Sequence, residues 1–193
     1  MLARSKFLLA AFALPLVLTR SSLAAETHTI DTVHSTVVFK VRHLGASNQY
    51  GRFRDVSGKI VVDEKDSSKG SVDITVKTES VDTGNEKRDQ HLKSPDFLAA
   101  KQFPTITFKG SEVKALADGS LEVAGKLTLH GVTKDVKVKV DRVGSGKGMR
   151  GDSKLTGFET KFTIKRSEFD MKGMIPAVGD EVELTVSVEC ETK

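Results

Sequence analysis

The sequence predicts an all-β fold, an antiparallel barrel or sandwich of about eight strands with one short helical insertion. Three observations carry this. Apolar and polar residues alternate with period two in at least five segments, hairpin-length turns separate them, and no long helical period competes. The last strand shows the pattern best. In Asp180-Glu181-Val182-Glu183-Leu184-Thr185-Val186-Ser187-Val188-Glu189-Cys190, every even position from Val182 is apolar, and nearly every odd one is Glu, Thr or Ser.

The elements follow in order. Strand signals begin at Thr27 to Ile30 and resume at Thr36 to His43, where Val37, Phe39, Val41 and His43 share one face and Val38, Lys40 and Arg42 the other. Gly51 to Asp63 is an interrupted strand, with Gly51 and Gly58 marking bends or bulges. Ser71 to Thr78 turns Val72, Ile74 and Val76 inward. Helix is expected only from Asn85 to Lys93, with Asn85 as cap and Glu86 in the first turn. Ser94-Pro95-Asp96 opens a further turn whose Phe97 and Leu98 would cover one barrel end. Thr105 to Lys109 points Ile106 and Phe108 one way, and Asp118-Gly119 is the turn before Leu121 to Leu129. Gly131 sits in the next turn, before Lys134 to Val140. Gly144 to Gly151 is a Gly- and Lys-rich loop. Phe158 to Arg166 places Phe158, Phe162 and Ile164 inward, and Val182 to Cys190 closes the chain beside the first strand.

Residues 1–24 stand apart. Arg4 and Lys6 precede an apolar run from Phe7 to Leu18, and Ser22-Leu23-Ala24 supplies the small residues of a cleavage site. This is the pattern of a secretory signal peptide, too short for a comfortable membrane span, and it leaves residues 25–193 as one domain with no integral span after processing. The formal net charge is +4, and Arg4, Lys6 and Arg20 leave with the leader, so the mature charge is near +1. That balance demands neither a nucleic acid nor an anionic surface as partner. Cys190 is the only cysteine, so no internal disulfide forms. By parity it faces inward as an inert buried thiol.

The outward positions are Lys, Glu, Asp and Thr, with one Tyr and no Trp. A membrane barrel would instead show an apolar outer band and aromatic girdles. Alternation does not say whether the interior is solid or hollow, since eight strands enclose room for side chains or for one small ligand. Mid-sized inward residues and few large aromatics favour room.

Four histidines are candidates for chemistry: His34, His43, His91 and His130. None has metal-motif spacing. His34 reads as a side chain bonded to its own turn, and His130 as a rim residue. His43, of inward parity, reads either as a satisfied core histidine or as a contact to a ligand headgroup. No nucleophile elbow, dinucleotide or phosphate-loop pattern is present. The segment Asp82 to Leu92 concentrates charge beside Leu92, Phe97 and Phe103. It is either a solvated helix or a mouth whose Arg88 and His91 meet a polar group. Arg166 shares the parity of Phe162 and Ile164, which suggests a structural arginine paired with Asp89 or Asp96.

These segments also carry a resemblance. Ile30-Asp31 with His34-Ser35, Phe39-Lys40-Val41-Arg42-His43, Gly51-Arg52-Phe53, and Asp82-Thr83-Gly84 with Arg88-Asp89-Gln90-His91-Leu92 come first. Ser94-Pro95-Asp96-Phe97, Gly125 to Lys134, Arg166-Ser167-Glu168-Phe169 and Val178-Gly179-Asp180-Glu181-Val182 follow. In this order they resemble the YceI-like family of periplasmic polyisoprenoid-binding proteins over nearly the whole mature chain. Two positions depart from the usual family pattern: Glu168-Phe169-Asp170 stands where Asp and then Phe-Gly are usual, and Phe97-Leu98 where two aromatics are common. The resemblance implies a lipocalin-like eight-stranded antiparallel β-barrel. It also implies a periplasmic, noncatalytic carrier of a polyprenyl compound or isoprenoid quinone, with no required cofactor or metal. Phe39, Val41, Val72, Ile74, Phe108, Leu127, Phe162 and Leu184 are the expected lining. His43, Arg88, His91 and Arg166 are the expected polar contacts or mouth architecture. Three alternatives or additions stay open: a structural or stress-related barrel without cargo, a His-dependent hydrolase, and a homodimer through an outer strand or loop.

Overall fold

Period-two alternation leaves every strand with one apolar face to bury, and a sheet that closes on itself buries all of them at once. The computed structural model describes residues 25–149 and 153–192; the expected signal peptide lies outside them. Eleven strand segments form one antiparallel sheet: β1 (Glu26–Ile30), β2 (Thr36–His43), β3 (Ser47–Phe53), β4 (Val56–Val62), β5 (Ser71–Lys77), β6 (Val81–Asp82), β7 (Thr105–Ala115), β8 (Leu121–Leu129), β9 (Val132–Lys147), β10 (Lys154–Lys165) and β11 (Val178–Thr192). The order is β1-β4-β5-β7-β8-β9-β10-β11-β2-β3-β6, and β1 also pairs with β11, which closes the ring.

The eleven segments make eight staves, because three staves are broken. β1 and β2 both pair with β11, at Ile30↔Cys190 and Ser187↔Thr36, so they are two halves of the first stave. β4 pairs with β1 and β5, and β3 with β2 and β6, which makes β3–β4 the second stave and β5–β6 the third. Local hydrogen bonds cause the breaks. Asp31 turns the chain by accepting from the Val33 amide (2.7 Å), and the Ser35 hydroxyl accepts the Glu189 amide (3.1 Å) that a continuous strand would have bonded. In the third stave a 3₁₀ turn, Thr78–Ser80, takes the place of ladder pairing. Its Ser80 accepts from the Arg54 amide at the break in the second stave.

Past these breaks β6 follows β3 and parts from β7. A single helix, α1 (Glu86–Lys93), and residues 94–104 fill that opening. The sequence accounts for the helix. The Asn85 side chain accepts from the Arg88 amide (3.0 Å), and the chain leaves at Ser94 before Pro95. Thr78 anchors the return, its hydroxyl donating to the Phe103 carbonyl (2.7 Å).

The core is concentrated at the β1 end, called the base. Val113, Leu121, Val123, Phe158 and Cys190 are all within 2 % of complete burial there, and a smaller cluster of Leu127, Leu129, Phe169 and Met171 packs toward the other end. Burial pushes the Cys190 thiol up to about 12, which makes it inert. Two expectations need correction. Gly51 to Asp63 is interrupted as expected, between Phe53 and Val56, but the stave starts earlier: β3 begins at Ser47, in a stretch whose Ser, Asn and Gln show no alternation but pair with Val41 to His43. Gly144 to Gly151 is not all loop, since β9 runs to Lys147 and pairs with Lys154 to Thr160 through backbone bonds that need no apolar side chains. Gly58 (φ +147°) marks a tight approach: a Cβ there would collide with the Asp73 carbonyl oxygen.

Candidate functional site

The inward faces do not fill the half of the barrel away from the base. Phe39, Ile74, Ile106, Phe108, Phe162, Leu184 and Val186 all point toward the axis, yet each keeps part of its surface accessible. Three adjoining cavities account for this. The deepest, about 110 Å³, is bordered by Val72, Ile74, Phe108, Phe158, Phe162 and Leu184, among others. The middle one, about 130 Å³, shares Val37, Val76, Ile106, Leu127 and Leu184 with it and adds Leu92, Phe97 and Leu98 from the helical insertion. The outer one, about 160 Å³, shares Phe39, Val41, Leu92, Phe97 and Val178 with the middle one and opens among His43, Gln49, Tyr50, Thr83, Arg88 and His91. The series is apolar inside and polar at the mouth. Phe39 is set by its cross-strand partner: its ring lies where a Gly51 Cβ would stand, so glycine is required there.

The mouth is built on a short hydrogen-bonded network. The Arg88 guanidinium donates from Nε to the Thr83 hydroxyl (2.8 Å), from Nη2 to the Thr83 carbonyl (2.8 Å) and from Nη1 to Gln49 Oε1 (3.4 Å). Thr83 in turn donates to Asp89 through its amide (2.9 Å) and hydroxyl (2.5 Å). His91 sits edge-on to Phe97 (5.0 Å between centroids), with Nε2 3.1 Å from Asp96. His43, at the end of β2, borders the same cavity.

The YceI-like domain model matches residues 28–190. The chain belongs to the YceI-like family. Its relatives include a UPF0312 protein of Pseudomonas aeruginosa, 44 % identical over 156 residues and 81 % of each chain, and Protein YceI of Salmonella agona, 41 % identical over 92 % of this chain and 93 % of the relative. Among solved structures, Burkholderia cenocepacia BcnA superposes with a TM-score of 0.70 at 26 % identity, covering 83 % of this chain and 98 % of BcnA. Campylobacter jejuni YCEI protein superposes at 0.69 and 28 % identity, covering 96 % and 99 %. A polyisoprenoid-binding domain from Saccharophagus degradans shares the fold at 16 % identity, with a TM-score of 0.66 over 86 % of this chain and 98 % of that domain.

In this YceI-like barrel all twelve residues expected at the site border the cavities. Val72, Ile74, Phe108 and Phe162 stand in the deep one, Leu127 and Leu184 between deep and middle, and Phe39 and Val41 between middle and outer. His43, Arg88 and His91 meet at the mouth. Arg166 borders the middle cavity but not with the expected partners: Asp89 and Asp96 belong to Thr83 and His91. Instead the buried Arg166 donates Nε to the Gly179 carbonyl (2.9 Å), Nη1 to Met171 (2.7 Å) and Nη2 to Val178 (2.8 Å), with its guanidinium carbon 5.7 Å from the Phe97 ring centroid. Burial lowers its pKa, and Asp180 opposes that shift.

The histidines do not converge. His34 bonds its own turn, with Nδ1 2.8 Å from Asp31, and that bond raises the His34 pKa and lowers that of Asp31. Glu189 lies 3.6 Å from the same nitrogen. His130 packs on Phe103 (4.6 Å between centroids) in a separate hairpin. Only His43 and His91 share a cavity. His28 was missed by the sequence reading and is the buried histidine. It lies at the base, 2.6 Å from the Thr192 hydroxyl and edge-on to Phe158. Its inward parity with Ile30 was a signal that could have found it. Val37, Val76 and Ile106 were likewise available from parity, and Val178 lies in a segment that carries the family resemblance, whereas Met171 lies near the irregular turn after β10 and carried no signal.

Proposed function

We propose that this protein is a periplasmic, noncatalytic binder and carrier of a long-chain isoprenoid lipid, a polyprenyl compound or an isoprenoid quinone, held along the barrel axis. The observation that carries this reading is the unbroken apolar lining of three adjoining cavities with a polar mouth at one end. A flexible apolar chain gains about 0.8 kcal/mol for each methylene moved out of water, before the cost of ordering it, so a long chain suits a long, narrow lumen. Phe39, Val41, Val72, Ile74, Phe108, Leu127, Phe162 and Leu184 desolvate the chain. His43, Arg88 and His91 face its headgroup, and Arg166 fixes the wall of the middle cavity. The leader pattern and the family both support a periplasmic site of action, and no helix of the described residues is long and apolar enough to cross a membrane. A homodimer would form through loops or outer faces, because barrel closure engages both edges of the base staves.

The test is direct. The mature protein is purified from the periplasm, extracted with organic solvent, and its bound molecules are identified by mass spectrometry. A prenyl lipid recovered reproducibly supports the carrier. No apolar cargo, together with failure to load purified prenyl lipids, overturns it.

A further inference from the structure

Among the described residues, seven large apolar side chains are exposed, and four of them, Leu44, Tyr50, Met174 and Ile175, belong to the rim of the mouth. Two chain segments bring them together. The turn after β2 carries Leu44, and the loop before β11 carries Met174 and Ile175. The two are joined by the Leu44 amide donating to the Ala177 carbonyl (2.7 Å) and by the pairing of His43 with Val178. Tyr50 and Met174 border the outer cavity itself. Leu44 (φ +50°) and Met174 (φ +58°) both hold the left-handed backbone, where Gly or Asn is cheaper, so bulky apolar residues stand at rim positions that local conformation disfavours.

Two cations without an ion pair flank this patch. Arg42 and Arg88 have no carboxylate within 4 Å among the described residues, and no Asp or Glu lines the outer cavity. Of the nearby acids, Asp96 pairs with His91, Asp170 pairs with Lys172 (3.2 Å) and Asp89 accepts from Thr83, whose hydroxyl also takes the Arg88 Nε, while Glu181 lies across from Arg42 in the β11 bulge without an ion pair among the described residues.

From exposed apolar side chains, flanking cations and a cavity opening between them, we infer that the rim docks onto the surface of an anionic phospholipid bilayer. Apolar insertion and electrostatic attraction are the two signals that reversible interfacial binding needs. A second copy of the chain on the same patch would cover the cavity mouth instead of opening it to lipid. That docking serves loading and unloading of the lumen rests on the carrier reading; the docking itself does not.

The experiment is flotation of the purified mature protein with vesicles of phosphatidylethanolamine and phosphatidylglycerol, compared with phosphatidylcholine alone. The wild type is expected to float about fivefold more with the anionic vesicles, and high salt should reduce this. The L44N/I175N variant should lose that gain while keeping the wild-type melting temperature and extractable lipid, since neither side chain borders a cavity. R42Q should weaken flotation without changing binding at high salt. Docking is overturned if the wild type ignores anionic vesicles or if L44N/I175N floats equally well. It is also overturned if sedimentation velocity shows a concentration-dependent dimer lost in L44N/I175N while flotation stays unchanged. Absence of extractable lipid would sink the carrier function and leave the flotation result standing, so the two failures are distinguishable.

Discussion

The base of the barrel and its mouth half are made from the same staves with the same alternation, yet one is solid and the other hollow. At the base, β1 is wedged between β4 and β11, and the ring is closed by pairing on every side. Its staves converge on Phe158, His28 and Cys190, and the side chains meet. Toward the mouth β6 parts from β7, and the helical insertion replaces a strand-to-strand contact with a looser one. Equivalent inward residues there touch space on one side. The lesson is that inward parity puts a side chain in the lumen, and the spacing of the staves decides whether it is core or lining.

Deleting one aromatic from each half tests this contrast most severely. Phe158→Ala at the base should cost about 3–5 kcal/mol in urea unfolding, because it opens a void that its neighbours cannot close. Phe162→Ala, four positions along the same strand, should cost only about 1–2 kcal/mol because its ring, unlike that of Phe158, is only partly buried, and it should lower lipid retention. Equal losses would erase the distinction between the halves.

Arg166 stands where the irregular turn after β10 meets the hollow half. Arg166→Leu strands three backbone carbonyls and should lower stability by about 3 kcal/mol in the same assay. Arg166→Lys should recover only part, since one ammonium cannot reproduce the planar fork. A neutral Arg166→Leu would mean that the turn finds other partners.

A pH titration probes the base by its chemistry. Burial pushes His28 below its ordinary pKa of 6.5, with Glu26 opposing. The unfolded chain therefore takes up a proton that the folded base resists. The stability contributed by neutral His28 is fully present above pH 6.5 and falls as pH drops below it toward the folded pKa. His28→Asn should flatten that slope in urea midpoints measured from pH 7.5 to 5, and an unchanged slope would mean that burial of this imidazole does not govern it.

The smallest expected effect concerns Asp170, at a position where the resemblance to the family leads one to expect glycine. It keeps the left-handed conformation (φ +59°) that closes the 3₁₀ turn Arg166–Phe169. Asp170→Gly should raise stability by about 0.5–1 kcal/mol, since the exposed Lys172 pair contributes little. A loss would show that the pair matters more than the backbone conformation.

Much of the fold could be read locally. Strand faces, the Asn85 cap, the Asp118-Gly119 turn and the charged exterior all follow from residues within a few positions of one another. The inward direction of the eight residues expected to line the lumen was legible from parity, and the mouth residues from the charge gathered around Arg88. Three features were out of reach. β3 begins among Ser, Asn and Gln, where pairing with β2 supplies an order that the side chains do not announce. Arg166 bonds carbonyls of residues 5 to 13 positions away along an irregular chain path, which no charge pattern marks. Above all, the hollow was undecided, because alternation specifies direction and says nothing of distance. The empty volume is set by which staves pair across the barrel and where β6 and β7 part. Those are contacts between residues far apart in the chain, and only the closed ring brings them into register.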